Sequence, residues 1–323
     1  MTKKRLSLCP ADDSGRIIDF RLRHISATLF LLLLCSNIAL ALENTPQENN
    51  TSPTTPTKRE TSPGSTKPSK SEEEAEDKTF SVTPHRPNYF LAITYNDNPN
   101  EKVYPDVGRD VPNNYEAKFQ LSIKVLILKD LFKGRGNLFF AYTQRSWWQI
   151  YNTSAPFRET NYEPEAFLRL NFNYPAIAWL RQKYLFIGFA HQSNGQGEDL
   201  SRSWNRFYLE FFAATDNFML GLKPWYRVPE NAATDDNPDI DEYLGYGKLY
   251  GAYKFRDLVF SFTLYNNLRF DENRNSLELG LSYALKNNLR LYLQYYNGYG
   301  ESLIDYNNFT HRVGFGFIIN DWL

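Results

Sequence analysis

The chain has 323 residues, with 36 Lys+Arg against 37 Asp+Glu and a formal net charge of −1, so it lacks the basic excess with which nucleic-acid binders neutralise phosphates. Aromatic residues make up 16% of it and its mean hydropathy is −0.54. Beyond the first 45 or so residues no apolar run reaches the length of a spanning helix, which excludes helical membrane spans but not spanning strands, whose alternation dilutes their own hydropathy.

At the N-terminus, Arg16, Arg21, Arg23 and His24 precede the apolar stretch Ile25 to Leu34, and Ala39-Leu40-Ala41 closes it. A positive flank, a short apolar core and an A-x-A end predict a secretory signal over 1–41. A membrane anchor is the competing reading, for which the run is short. The two cysteines, Cys9 and Cys35, fall inside this leader, so the processed chain is expected to carry no thiol, disulfide or Cys-bound metal. Pro, Thr, Ser and Lys dominate the next stretch, followed by the acidic run 71–77. Such a composition buries too little apolar surface to offset its ordering entropy. It predicts a disordered tether over 42–84 and a single domain over 85–323.

From Tyr89 onward the sequence breaks into segments of period two. Ala117, Phe119, Leu121, Ile123 and Val125 alternate with Glu116, Lys118, Gln120, Ser122 and Lys124. Leu277, Leu279, Leu281 and Tyr283 alternate with Glu278, Gly280, Ser282 and Ala284, and Val313, Phe315 and Phe317 with Arg312, Gly314 and Gly316. The pattern predicts strands near 88–95, 115–127, 137–151, 162–173, 182–193, 203–214, 216–227, 246–256, 258–269, 274–285, 288–297 and 309–319. Parity alone fits a soluble β-sandwich as well as a barrel. The secretory leader, the strand lengths, the Tyr/Trp at strand ends and the alternation of short turns with longer loops favour an all-β, twelve-stranded antiparallel transmembrane β-barrel of the outer membrane. With both termini periplasmic, the segment 182–193 ends at the outer surface. Glu116, Lys118, Lys124, Arg206, Glu210, Glu278 and Arg290 would pair in the lumen, giving a plugged barrel rather than an open pore.

Within the fifth segment Leu185, Ile187, Phe189, His191 and Ser193 share one face, and within the sixth Asn205, Phe207, Leu209 and Phe211 do. Parity therefore places His191, Ser193 and Asn205 on the lipid side. A serine, a histidine and a third group that orients the imidazole are the parts of an activated nucleophile. His191 would take the Ser193 proton, Asn205 would fix the tautomer, and a lipid ester is the simplest substrate for a nucleophile facing lipid. The plain alternative is that these are ordinary strand-end residues of a channel or lipid-binding barrel.

The stretch His191-Gln-Ser193-Asn-Gly195, followed by Ser201-Arg-Ser-Trp-Asn205-Arg, resembles the signature of the outer-membrane phospholipase A family. So do Tyr142-Thr-Gln-Arg-Ser-Trp-Trp-Gln149, Lys223-Pro-Trp-Tyr226 and Thr234-Asp-Asp-Asn-Pro-Asp-Ile240, in order along 85–323. The resemblance implies calcium-dependent hydrolysis of phospholipid acyl esters by a homodimer. Ser193 would be nucleophile, His191 base and Asn205 its orienter, with an oxyanion hole from the backbone N–H groups of Ser193 and Gly195. It further implies calcium held by the Gln196 carbonyl, Ser201 and a Ser154 from the partner chain, with Asp236 as ligand in the monomer. Gln144, an amide on an otherwise apolar face, would hydrogen-bond across the dimer interface; a merely hydrated amide is the alternative. Glu163, Glu165 and Arg169 are read as a lumen ion-pair network, and His85 and His311 as structural residues without clustered partners.

Overall fold

The computed structural model of the protein describes residues 78–101, 103, 112–171, 177, 179–286 and 289–323. The expected signal and the expected tether up to residue 77 lie outside the described residues. Thirteen strands follow in chain order: β1 (Val82–Pro84), β2 (Asn88–Asn96), β3 (Tyr115–Asp130), β4 (Gly136–Trp148), β5 (Phe157–Asn171), β6 (Gln182–Ser193), β7 (Ser203–Ala214), β8 (Phe218–Arg227), β9 (Gly247–Phe255), β10 (Leu258–Asn266), β11 (Asn275–Lys286), β12 (Leu289–Gly298) and β13 (Thr310–Asn320). Each of β2 to β13 pairs antiparallel with its chain neighbours, and β13 pairs back onto β2 through Val313↔Tyr95 and Phe315↔Ile93. Pairing of β3 with β4 leaves the ring without a free edge, so the sheet is a closed twelve-stranded barrel and the sandwich reading falls away.

Several boundaries differ from the expectation by a few residues, and two of the differences bear on the lumen. β1 lies inside the stretch read as tether: Val82 pairs with Val125 and Pro84 with Ile123 on β3, so the sheet begins three residues before residue 85. β5 starts at Phe157 rather than near 162. Its first residues, Arg158, Glu159 and Asn161, read as loop because both charges are followed by more polar residues. All three are buried, with partners supplied by a distant loop.

Alternation sorts the side chains by solvent. Phe140, Ile187, Phe189, Phe207, Leu222, Phe260, Leu279, Leu293 and Phe315 point outward and stay exposed, whereas Lys118, Ser122, Thr143, Glu165, Ser282 and Gln294 point inward and are buried. An apolar outside around a polar inside is the inverse of a soluble protein and suits an apolar surrounding medium. One end of the barrel carries tight turns such as Arg256-Asp257, where Arg256 takes φ 57°. The other carries the loops 194–202, 228–246 and 299–309, the second containing the short helix α1 (Ile240–Leu244).

Inside, the expected charges do pair, with help from outside the strands. Glu165 accepts from His85, Arg86, Tyr208 and Lys223, and Glu163 from Arg86 and Arg206. His85, expected to lack clustered partners, is thus 2.8 Å from Glu165 and stacked on Phe167. Arg169 lies over the rings of Phe139 and Tyr184. The loop 299–309 folds into the lumen, and Glu301 to Tyr306 are all buried. Leu303 N donates to Asn161 Oδ1 (2.9 Å) and Ile304 N to Glu159 Oε1 (3.2 Å). Arg158 bonds both Glu116 and Asp305, and Glu301 bridges Lys118 (3.0 Å) and Arg312 (2.9 Å). This loop plugs the barrel.

Burial works against ionising Glu301, but Arg312 and Lys118 outweigh it and hold the carboxyl down at about 2, against an ordinary 4.5. A depressed carboxyl stabilises the fold above its unfolded value and loses that contribution as pH falls through the folded one. Glu301→Gln should therefore destabilise the detergent-solubilised barrel by on the order of 3 kcal/mol near neutrality. In denaturant titrations, the gap from wild type should narrow between about pH 4.5 and 2.

Candidate active site

β6 and β7 are adjacent, with His191 opposite Asn205 and Ser193 opposite Ser203. Exposed Ile187, Phe189 and Phe207 mark the outward face, and His191, Ser193, Ser203 and Asn205 share it, half-buried, at the long-loop end. The His191 Nδ1 to Asn205 Oδ1 distance is 2.9 Å. An amide oxygen only accepts, so Nδ1 carries the proton and the Nε2 lone pair is left for another donor. At its other end Asn205 Nδ2 donates to Glu230 Oε1 at 3.3 Å. Ser193 stands two residues from His191 on the same face.

Behind this face the strands are clamped from the lumen. Trp204 Nε1 donates to Gln192 Oε1 (2.9 Å), and Arg206 reaches the same oxygen and stacks over the Trp204 ring at 3.9 Å. Ser193 closes β6, and the loop after it is organised by Asn194, which is 2% exposed. Asn194 Oδ1 accepts from Gln196 N and Arg202 N, while Nδ2 donates to Leu200 O. Gly195 takes φ +64°, and a Cβ there would lie 3.1 Å from the Tyr162 ring, so glycine suits both the backbone conformation and the space. Tyr162 is itself the cross-strand partner of Ser193 and of Gln144. Neither Asn194 nor Tyr162 was singled out by sequence reasoning. In the sequence Asn194 is marked only as an amide directly after Ser193, and for Tyr162 the signal exists only in the register.

The expected metal ligands separate into two groups. Ser201 Oγ donates to Asp236 Oδ2 at 2.6 Å, and Ser203 Oγ lies 3.5 Å from the same oxygen. The loop holding Asp236 is tied down by Asn237 Oδ1, which accepts from Ser203 N, and by an Arg227–Asp235 pair. Gln196 lies in the same 194–202 loop. Ser154 is exposed in the β4–β5 connection, where a ligand offered to another chain has to be. The donors brought together are hydroxyl and carboxylate oxygens, the set a hard cation such as calcium takes. Among the described residues no group of three or more His, Cys, Asp or Glu is placed to hold a metal ion.

Gln144 does face outward, and its amide is partly satisfied along its own strand: Tyr142 OH donates to Oε1 and Nε2 donates to Ser146 Oγ, both at 3.1 Å. Half of its hydrogen-bonding capacity remains for a second molecule. His311 pairs with Asp97 at the rim, away from β6 and β7.

The family model for phospholipase A1 matches residues 66–319. The phospholipase A1 of Escherichia coli (strain K12) is 39% identical over 247 residues, covering 76% of this chain and 83% of the relative. The structure of outer membrane phospholipase A from Escherichia coli superposes with a TM-score of 0.68 at 38% identity, over 76% of this chain and all of that one. The Salmonella typhi outer membrane phospholipase, solved as a dimer with bound calcium, gives a TM-score of 0.67 at 38% identity, covering 75% of this chain and 93% of that one. A model that takes in the whole barrel down to Ile319, joined by relatives of this identity along three quarters of the sequence, establishes that the chain belongs to the phospholipase A1 family.

Proposed function

We propose that this protein is a calcium-dependent phospholipase A of the outer membrane, active as a homodimer, with Ser193, His191 and Asn205 as its triad. The observation that carries the reading is the 2.9 Å contact between His191 Nδ1 and Asn205 Oδ1 on the lipid-facing side, in the row that ends in Ser193. In the first half-reaction Ser193 Oγ attacks the acyl carbonyl and its proton passes to His191 Nε2. The ester C–O bond breaks, the departing lysophospholipid oxygen takes that proton, and the acyl group stays on Ser193. Water then attacks, again giving a proton to Nε2; the acyl–Oγ bond breaks, fatty acid leaves and Ser193 recovers its proton. Asn205 keeps Nδ1–H in place throughout, as the third member of such triads does. Backbone N–H groups of Ser193 and Gly195 would supply the oxyanion hole. Calcium, held by Ser201, the Gln196 carbonyl and the partner's Ser154, with Asp236 as the monomer ligand, would add positive charge beside that oxyanion.

Dimerisation fits the same face. Gln144, Tyr162 and Ser193 form one transverse row, so a second barrel meeting Gln144 would also wall the site and shelter an acyl chain. Presentation of phospholipid in the outer leaflet would then favour association. The lumen plug formed by 299–309 argues against a channel as the main function.

The test is calcium-titrated release of fatty acid from mixed micelles, with and without an alkylsulfonyl fluoride. Turnover should rise with calcium and stop on modification, with the sulfonyl group mapped to Ser193. Modification elsewhere, or turnover that survives stoichiometric labelling, would remove Ser193 as nucleophile.

A further inference from the structure

After β8 the chain leaves the sheet beside the orienting residue. Val228 N donates to the Asn205 backbone oxygen at 2.8 Å, Pro229 restricts the next φ, and the half-buried Glu230 then accepts from Asn205 Nδ2 at 3.3 Å. Two residues of this segment, Val228 and Glu230, thus bond one asparagine.

The two ends of an asparagine amide have nearly the same shape and opposite hydrogen-bonding character. With Oδ1 toward His191, the imidazole holds its proton on Nδ1 and Nε2 is a base. With Nδ2 toward His191, Nδ1 must accept, Nε2 carries the proton, and the ring cannot receive one from Ser193. A triad whose third member is a carboxylate has no such ambiguity, since both oxygens accept. An asparagine triad therefore needs something to choose the amide's sense. A carboxylate on the far side does so: it attracts Nδ2 by a charge-assisted bond and would repel Oδ1. We propose that Glu230 is a positioning residue for hydrolysis, which locks the Asn205 amide with its oxygen on His191. This inference rests on the reading of Ser193, His191 and Asn205 as the triad. The arrangement sets a carboxylate one amide beyond the imidazole, so negative charge still lies behind His191 as it becomes imidazolium.

The experiment compares wild type with Glu230→Ala, Glu230→Gln, Asn205→Ala, the Asn205→Ala/Glu230→Ala double variant and Ser193→Ala, all as full chains in calcium-containing mixed micelles. Glu230→Ala should lower kcat about tenfold, the worth of one charge-assisted hydrogen bond, with KM unchanged. Glu230→Gln keeps the size but can present either end of its own amide to Asn205, so it should recover little of that loss. The double variant should be no slower than Asn205→Ala, because Glu230 acts only through Asn205. The His191 ring 15N shifts should report one Nδ1–H tautomer in wild type and a mixture in Glu230→Ala. Wild-type kcat and an unmixed tautomer in Glu230→Ala, or losses that add in full in the double variant, would overturn the role of Glu230. If Ser193→Ala still turns over substrate, the triad reading fails first. If it is inactive while Glu230→Ala matches wild type, only the positioning role fails.

Discussion

Ser193→Ala should abolish phospholipid hydrolysis, by about four orders of magnitude or more, while the barrel migrates unchanged in heat-modifiability gels. The size follows from the covalent step: without Oγ no acyl-enzyme forms, and what remains is water attacking an ester bound near a polarising site. The structural neutrality follows from position. Ser193 is the last residue of β6, half-buried on the outward face, and loss of an outward hydroxyl there changes stability by no more than about 0.5 kcal/mol. His191→Ala should be nearly as slow, and the double variant no slower than either single one, because the two groups act as a unit. Asn205→Ala should cost less, since it removes an orienter and leaves the nucleophile and base in place. Fatty-acid release from mixed micelles measures all four, and Ser193→Ala turnover within tenfold of wild type would sink the acyl-enzyme scheme.

The barrel was legible because each strand repeats the same physical demand every second residue. Phe260, Phe262 and Leu264, or Val313, Phe315 and Phe317, mark strands by their own period, and the pairing of β13 with β2 is what decides for a barrel over a sandwich. Parity also placed His191 and Asn205 on one face, and the register set them directly opposite each other. What stayed hidden depends on partners far away in sequence. The polar start of β5 makes sense only when Leu303 and Ile304 arrive from about 140 residues on to bond Asn161 and Glu159. His85 looked solitary because Glu165, its partner, lies 80 residues on in β5. Glu230 had no periodicity or motif to mark it, and its meaning comes from the Asn205 amide it touches. Residues whose role is set by the period of their own strand can be read from the chain, whereas residues whose role is set by a loop cannot.

Chelation of calcium should reduce hydrolysis to background, and Asp236→Ala should weaken calcium binding by the monomer about tenfold or more. Calcium exchanges water for several oxygens, and the charge of the ligand set governs its affinity. Ser201 and Ser203 bring neutral hydroxyls to the Asp236 carboxylate, so in this loop pair the carboxylate supplies the negative charge. For both to bind one cation, Ser201 Oγ must turn its proton away from Asp236 and offer a lone pair, which costs the 2.6 Å bond seen here. Ser201→Ala removes a ligand but also that competing bond, so its shift in calcium dependence should be smaller than that of Asp236→Ala. Asp236→Asn separates charge from shape and should fall near Asp236→Ala if charge dominates. Because Ser154 would serve the partner chain, Ser154→Ala should weaken calcium in the dimer and leave the monomer's binding untouched. Calorimetric titration at protein concentrations above and below dimerisation distinguishes these arms without relying on activity. A calcium midpoint unchanged in Asp236→Ala in both regimes would place the cation elsewhere on the barrel.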